Sequence, residues 1–181
     1  MILKLSMLKP ELIQLNNEKF QNLFDFLSTH DNDKWNQGPE GKWTTGQHVM
    51  HLLQSAKPLN RALGMPMLVL RYKFGKANRG PRTYDVVQDK YKTKLAAAGN
   101  VLSPFSRNMP DTPPDGKQTI IAQLDKAKEV LLKKINRISE KSMDKYLIPH
   151  PLLGRMLIRE MIMWNAIHVD HHLEILKEKY S

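Results

Sequence analysis

Met161-Ile-Met-Trp164-Asn165-Ala-Ile-His168-Val-Asp170-His171-His172-Leu-Glu-Ile175 has the periodicity of a helix with one face turned inward. At about 100° per residue, with His168 at zero, Met161 falls near +20°, His172 near +40°, Asn165 near +60°, Ile175 near −20° and Trp164 near −40°. Two imidazoles therefore lie in an otherwise largely apolar, core-facing stripe. The helix that carries them is expected from about Gly154 to Lys179, after a turn at Pro149-His150-Pro151.

Three more segments carry helical periodicity and none carries the two-residue alternation of a sheet protein, so the class is all-α. After Gly116, the residues Ile120, Leu124, Ala127, Leu131, Ile135 and Ile138 recur at spacings of four and three, the stripe of a helix packed in a bundle. The first helix starts near Pro10, a residue suited to a first turn. It places Leu12, Phe20, Leu23 and Leu27 on one side and breaks in His30-Asp-Asn-Asp33. The second opens at Thr44, where Thr44-x-x-Gln47 reads as a capping box, and is expected to run into the low seventies. Pro58, inside it, should bend it or remove a backbone hydrogen bond. Phe74 to Gly116 is punctuated by Gly75, Gly80, Pro81, Pro104, Pro110, Pro113 and Pro114 and is too long for a passive loop. Tyr84 to Ala98 is its expected short helix.

The 181 residues, 41% of them apolar, suit one domain over residues 1–181. No apolar run reaches membrane-spanning length, and Met1-Ile-Leu-Lys-Leu-Ser6 lacks the features of a secretory signal, so a cytoplasmic protein is expected. With no cysteine, disulfides, a thiolate nucleophile and Cys-ligated metal sites are all excluded, and any metal must be held by His or carboxylate. The net charge is +10, and Arg71 to Lys94 holds eight Lys or Arg against Asp85 and Asp89, which is six of those ten units. The charge belongs to one segment more than to the whole surface.

Histidine carries the chemistry. His168 and His172, at i and i+4, share a helix face, and a third imidazole from another helix would close a facial three-nitrogen site with open coordination positions. That arrangement is catalytic in type, whereas structural metal sites are closed. The i,i+4 spacing by itself fits hydrogen-bonded core histidines as well as it fits a metal. In Trp43-Thr-Thr-Gly-Gln-His48-Val-Met-His51, two residues compete for the third position. The apolar stripe Val49, Leu52, Leu53, Ala56, Leu59 and Leu63 lies closer to His48, whereas His51 shares its face with Gln47 and Ser55, which could line a wet pocket. Periodicity leaves that choice open. His171 is turned about 100° from His172 and is not expected on the same ion. Asp170 points away from the His168 and His172 face, and His150 and His30 read as structural or solvated. No Ser-His-Asp signature, phosphate-binding glycine loop or paired-carboxylate motif accompanies them.

The pieces Lys42-Trp43-Thr-Thr-Gly-Gln-His48, Phe74-Gly-Lys-Ala-Asn-Arg79, His150-Pro-Leu-Leu-Gly154 and His168-Val-Asp-His-His-Leu173 stand in a telling order. With the wider pattern of Trp43-x7-His51 followed by His168-x3-His172, they resemble the DinB/YfiT-like family of four-helix metalloproteins over nearly the whole chain. Within it they look like a subgroup without an assigned reaction. The resemblance implies an up-down-down-up four-helix bundle, with Phe74 to Gly116 as a long crossover between the second and third helices. It implies His51, His168 and His172 as metal ligands, with His48 and His171 outside that set. Related members include thiol-dependent transferases and isomerases that use mycothiol, bacillithiol or glutathione with zinc or nickel. The resemblance thus implies a divalent-metal-dependent enzyme, a thiol-dependent transferase or hydrolase, with zinc or nickel and a low-molecular-weight thiol as cofactors. It also implies a small-molecule substrate and a homodimer.

In such an enzyme the metal would act as a Lewis acid toward a thiolate or a water. Arg71, Lys73, Lys76, Arg79 and Arg82 could grip the carboxylates of a thiol, although a solvated loop is the plainer reading of a charge run. A rival reading is a non-catalytic, metal-binding stress-response protein, which a core without a substrate-sized pocket would favour. Nucleic-acid binding is suggested by a pI of 9.7, but no helix-turn-helix or zinc-finger pattern accompanies the charge.

Overall fold

The computed structural model describes residues 7–99 and 109–180. The first six residues and Pro104 lie outside them, as does the part of the expected crossover around Pro104. Along the chain run α1 (Lys9–Ser28), the single turn α2 (Asn32–Trp35), α3 (Thr45–Leu63), α4 (Met67–Phe74) and α5 (Tyr84–Ala98). A 3₁₀ turn at Pro114–Gly116 leads into α6 (Lys117–Arg137), followed by the single turn α7 (Glu140–Met143), strands β1 (Leu147–His150) and β2 (Gly154–Leu157), and α8 (Ile158–Lys179). The chain is mostly helical, as its periodicity requires, with one small hairpin added.

Four long helices make the core. α1 packs on α8 and α6, and α3 packs on α6 and α8. Leu12, Phe20, Leu23 and Leu27 of α1 are all buried, as are Ile120, Leu124, Leu131 and Ile135 of α6. Both stripes follow the three-and-four spacing of their sequences. α3 begins where its capping box places it: Gln47 N–H donates to Thr44 Oγ1 at 3.2 Å and Thr44 N–H donates to Gln47 Oε1 at 3.0 Å.

Two boundaries differ from the sequence reading. The second helix does not continue into the low seventies, because α3 ends at Leu63 and α4 starts afresh at Met67. Gly64 N–H closes the last turn onto the carbonyls of Asn60 and Arg61, and Pro66 lacks an N–H and disfavours helix at Met65. Pro58, by contrast, does not end α3. The last helix begins at Ile158 and not near Gly154, because the preceding residues form an antiparallel hairpin in which Leu147 faces Leu157 and His150 faces Gly154. Gly154, with φ of +73°, takes a backbone conformation that suits glycine. Four-residue strands are too short to show alternation in the sequence.

α8 is the central element, touched by α1, α3, α5 and both strands. Every residue from Ile158 to Val169 is buried, a wider burial than one stripe. Several of its buried polar side chains are paired across the core. Asn165 Nδ2 donates to Asn16 Oδ1 at 3.0 Å, and Arg159 donates to the carboxylates of Asp144 and Glu140. Among the described residues no helix is long and apolar enough to cross a membrane.

Candidate metal centre

Where α3 meets α8, the imidazoles of His51, His168 and His172 converge, with one ligand-capable nitrogen from each within 4.8 Å of the others. His168 and His172 stand one turn apart on α8 and His51 reaches them from α3. His51 Nε2 lies 3.2 Å from His168 Nε2, and His172 Nε2 lies 3.1 Å from His168 Nε2. All three residues are buried.

Burial pushes His168 and His172 well below the usual imidazole range, and the neighbouring imidazoles push in the same direction. His168 and His172 are neutral at pH 7 and can offer nitrogen lone pairs. An Nε2 has one in-plane site, either a proton or a lone pair, and His168 Nε2 faces two neighbours. A single proton serves one such contact, whereas one cation serves three lone pairs together. Metal–nitrogen distances of about 2.0–2.1 Å in tetrahedral geometry would set the nitrogens roughly 3.3 Å apart, close to the two spacings that His168 Nε2 makes. The donor set, all neutral nitrogen, fits a borderline divalent metal.

The surroundings separate the remaining histidines. His48, which amphipathicity favoured, is indeed buried, but it meets the cluster from behind: its Nδ1 is 2.8 Å from His172 Nδ1 and its Nε2 is 3.2 Å from Tyr180 Oη. Tyr180 Oη in turn donates to the Trp43 carbonyl. The Trp43 ring packs against His51, centroids 5.0 Å apart, and lies nearly parallel to His172, which gives a physical reason for a tryptophan shortly before α3. His171 sits edge-on to Tyr91 and outside the three-nitrogen group. Asp170 pairs with Lys19 of α1 at 3.1 Å.

His30 and His150 are both buried, so the solvated alternative fails for them. His30 Nε2 is 3.3 Å from Thr45 Oγ1. His150 Nδ1 accepts from the backbone N–H groups of Leu152 and Leu153 at 3.1 and 3.0 Å, which ties the hairpin turn. Burial lowers His150 to about 4, so it is neutral and its one proton must sit on Nε2. Its ring stands edge-on to Trp164, which stacks on His168 at 4.8 Å and 17°.

A cavity of about 860 Å³ opens on all three imidazoles. Its walls are largely apolar, with Leu59, Met65, Phe74, Leu95, Leu152 and Ile175 among them, and His150 lines it too. The cations expected to serve a ligand are not there. Arg79 makes a bidentate pair with Glu160 at 2.6 and 2.8 Å, and Arg82 adds its side chain and its backbone N–H to the same carboxylate. Burial pushes the Glu160 carboxyl upward, but the bonds from Arg79 and Arg82 outweigh it and hold the group below its ordinary value. This pair fastens the segment before α5 to the first turn of α8. Arg71, Lys73 and Lys76 do not line the cavity, and among the described residues its cations are Lys42 and Arg61.

Sequence reasoning missed Tyr180 and the placement of His150, and read Trp164 only as part of the core-facing stripe. One signal pointed to Tyr180: a histidine on the most apolar stripe of α3 needs a polar partner. The partner's position near the far end of the chain carried no local mark.

Comparison with curated proteins and comparison with solved structures each gave no match. The DinB superfamily model matches residues 17–176, a span that contains His51, His168 and His172. With that match over most of its length, the chain belongs to the DinB superfamily.

Proposed function

We propose that the chain is a divalent-metal-dependent enzyme in which His51, His168 and His172 hold zinc or nickel, and that it transfers or hydrolyses a small molecule with a low-molecular-weight thiol as cosubstrate. One observation carries the reading: the imidazoles open on a cavity of about 860 Å³. Small-molecule sites span roughly 300–1,000 Å³, and a metal that only braces a bundle needs no such volume. A bound divalent cation supplies Lewis acidity, which lowers the pKa of a thiol or water.

The chain supplies the rest. Apolar walls hold the body of the substrate and exclude water. Lys42 and Arg61 receive anionic ends, and the His150 Nε2–H donates to an acceptor oxygen. Trp43 and Trp164 pack on the imidazoles and fix their planes. The same reading takes residues 1–181 as one cytoplasmic domain, an up-down-down-up four-helix bundle. Among the described residues, the ring of helix contacts and the contiguous apolar core support a single bundle.

Cobalt-loaded protein tests the proposal. Added 2-mercaptoethanol is expected to produce a thiolate-to-cobalt charge-transfer band that His168→Ala abolishes. A cobalt spectrum unchanged at saturating thiol contradicts the thiol reading.

A further inference from the structure

Four groups stand in line from the end of α8 to the centre of the site. A backbone carbonyl only accepts, so the Tyr180 hydroxyl proton is committed to the Trp43 carbonyl. Tyr180 Oη must then accept from His48 Nε2, 3.2 Å away, which puts the one proton of neutral His48 on Nε2 and leaves its Nδ1 bare. That bare nitrogen lies 2.8 Å from His172 Nδ1, so His172 is the donor and carries its proton on Nδ1. His172 Nε2 is left with a lone pair, and this is the nitrogen 3.1 Å from His168 Nε2. In the opposite direction, the lone pairs of His48 Nε2 and Tyr180 Oη would face each other in a buried place.

The line is held firmly. His48 is 6% exposed and Tyr180 8%, so water does not readily replace either partner. Gly38 packs on the far end, where a Cβ would come 3.0 Å from the Tyr180 ring and closer still to the Trp43 carbonyl. Tyr180 follows the last turn of the helix that carries His172, so one element delivers both ends of the line.

We propose that Tyr180 and His48 are positioning residues that set the tautomer of His172 and turn its Nε2 lone pair toward the three-imidazole group. Their purpose rests on the metal-site reading above, while the tautomer itself is a property of the metal-free chain. Groups that orient a ligating histidine typically change metal affinity by about 10–100-fold.

Nitrogen-15 side-chain NMR of metal-free protein reads the tautomers directly. Wild type is expected to show His172 protonated on Nδ1 and His48 on Nε2, and Tyr180→Phe to leave His172 unheld in one tautomer. Zinc affinity, measured by competition with a chromophoric chelator, is expected to fall about 10–100-fold in His48→Leu, which cannot accept from His172. It should return to within a few-fold of wild type in His48→Gln, whose Oε1 can accept, roughly as seen for other supporting hydrogen bonds. A packing role alone predicts the reverse order, with Leu tolerated better than Gln and thermal stability changing in place of zinc affinity. A wild-type His172 protonated on Nε2 overturns the proposal, and so does a His48→Leu protein that binds zinc as tightly as wild type. If wild type takes up no zinc, the metal-site reading fails, and the His172 tautomer still decides the positioning role.

Discussion

Metal-free protein should lose stability steeply under mild acid, because its core holds neutral imidazoles. Burial lowers His48 and His150 from 6.5 to about 4 in the folded chain. A depressed folded pKa means that the unfolded chain binds more protons at intermediate pH. The stability is therefore fully present above 6.5, is lost as pH falls from 6.5 toward 4, and loses no more below that. At pH 5 the unfolded imidazoles are almost wholly protonated while the folded ones remain almost wholly neutral, so each costs about 2 kcal/mol relative to pH 7. The two together remove about 4 kcal/mol from a total that for such domains is roughly 5–15 kcal/mol. His168 and His172, also lowered by burial, act in the same direction. Urea unfolding of chelator-treated protein at pH 7, 6 and 5 measures the effect. His150→Gln should make the slope between pH 6 and 5 shallower by roughly 1 kcal/mol per pH unit, the share of one titrating site. A stability that stays flat from pH 7 to pH 5 would refute the claim that these imidazoles are buried and neutral.

Glu160→Gln removes the carboxylate that Arg79 and Arg82 share, and is expected to cost about 2–3 kcal/mol in urea unfolding; an unchanged midpoint would contradict the fastening role. Gly46→Ala sets a Cβ 2.7 Å from the buried Trp35 indole, so unfolding should come about 1–3 kcal/mol earlier with a shift in tryptophan emission, and a neutral outcome would disprove the close approach. Leu131→Ala, deep in the core on α6, should cost about 2–5 kcal/mol and leave zinc stoichiometry intact; a loss of zinc would show that core and site are not separable.

α1 and α6 were legible because each buries a single face. Leu12 to Leu27 and Ile120 to Ile135 repeat at helical spacing, and the surface they define is the one the fold covers. The break at Gly64 to Pro66 was legible in principle, since Pro66 marks it, but the apolar residues on either side masked it. The hairpin before α8 was hidden by its length, and with it the true start of α8 at Ile158, whereas the rest of that helix was read from its periodicity. In the site, the i,i+4 spacing of His168 and His172 placed both imidazoles on one face. The choice between His48 and His51 could not be read from periodicity, because both are buried and both touch the cluster through different nitrogens. The fate of Arg79 and Arg82 was equally invisible, since their partner Glu160 lies far along the chain and only the fold brings it near.

Metal content tests the central claim most directly. Protein purified without an affinity tag should carry, or take up on reconstitution, close to one zinc or nickel per chain by elemental mass spectrometry. His51→Ala, His168→Ala and His172→Ala should each abolish that uptake, while His171→Ala, outside the three-nitrogen group, should keep it. Wild-type protein that stays metal-free after reconstitution, or a His168→Ala variant that retains full metal, would contradict the account.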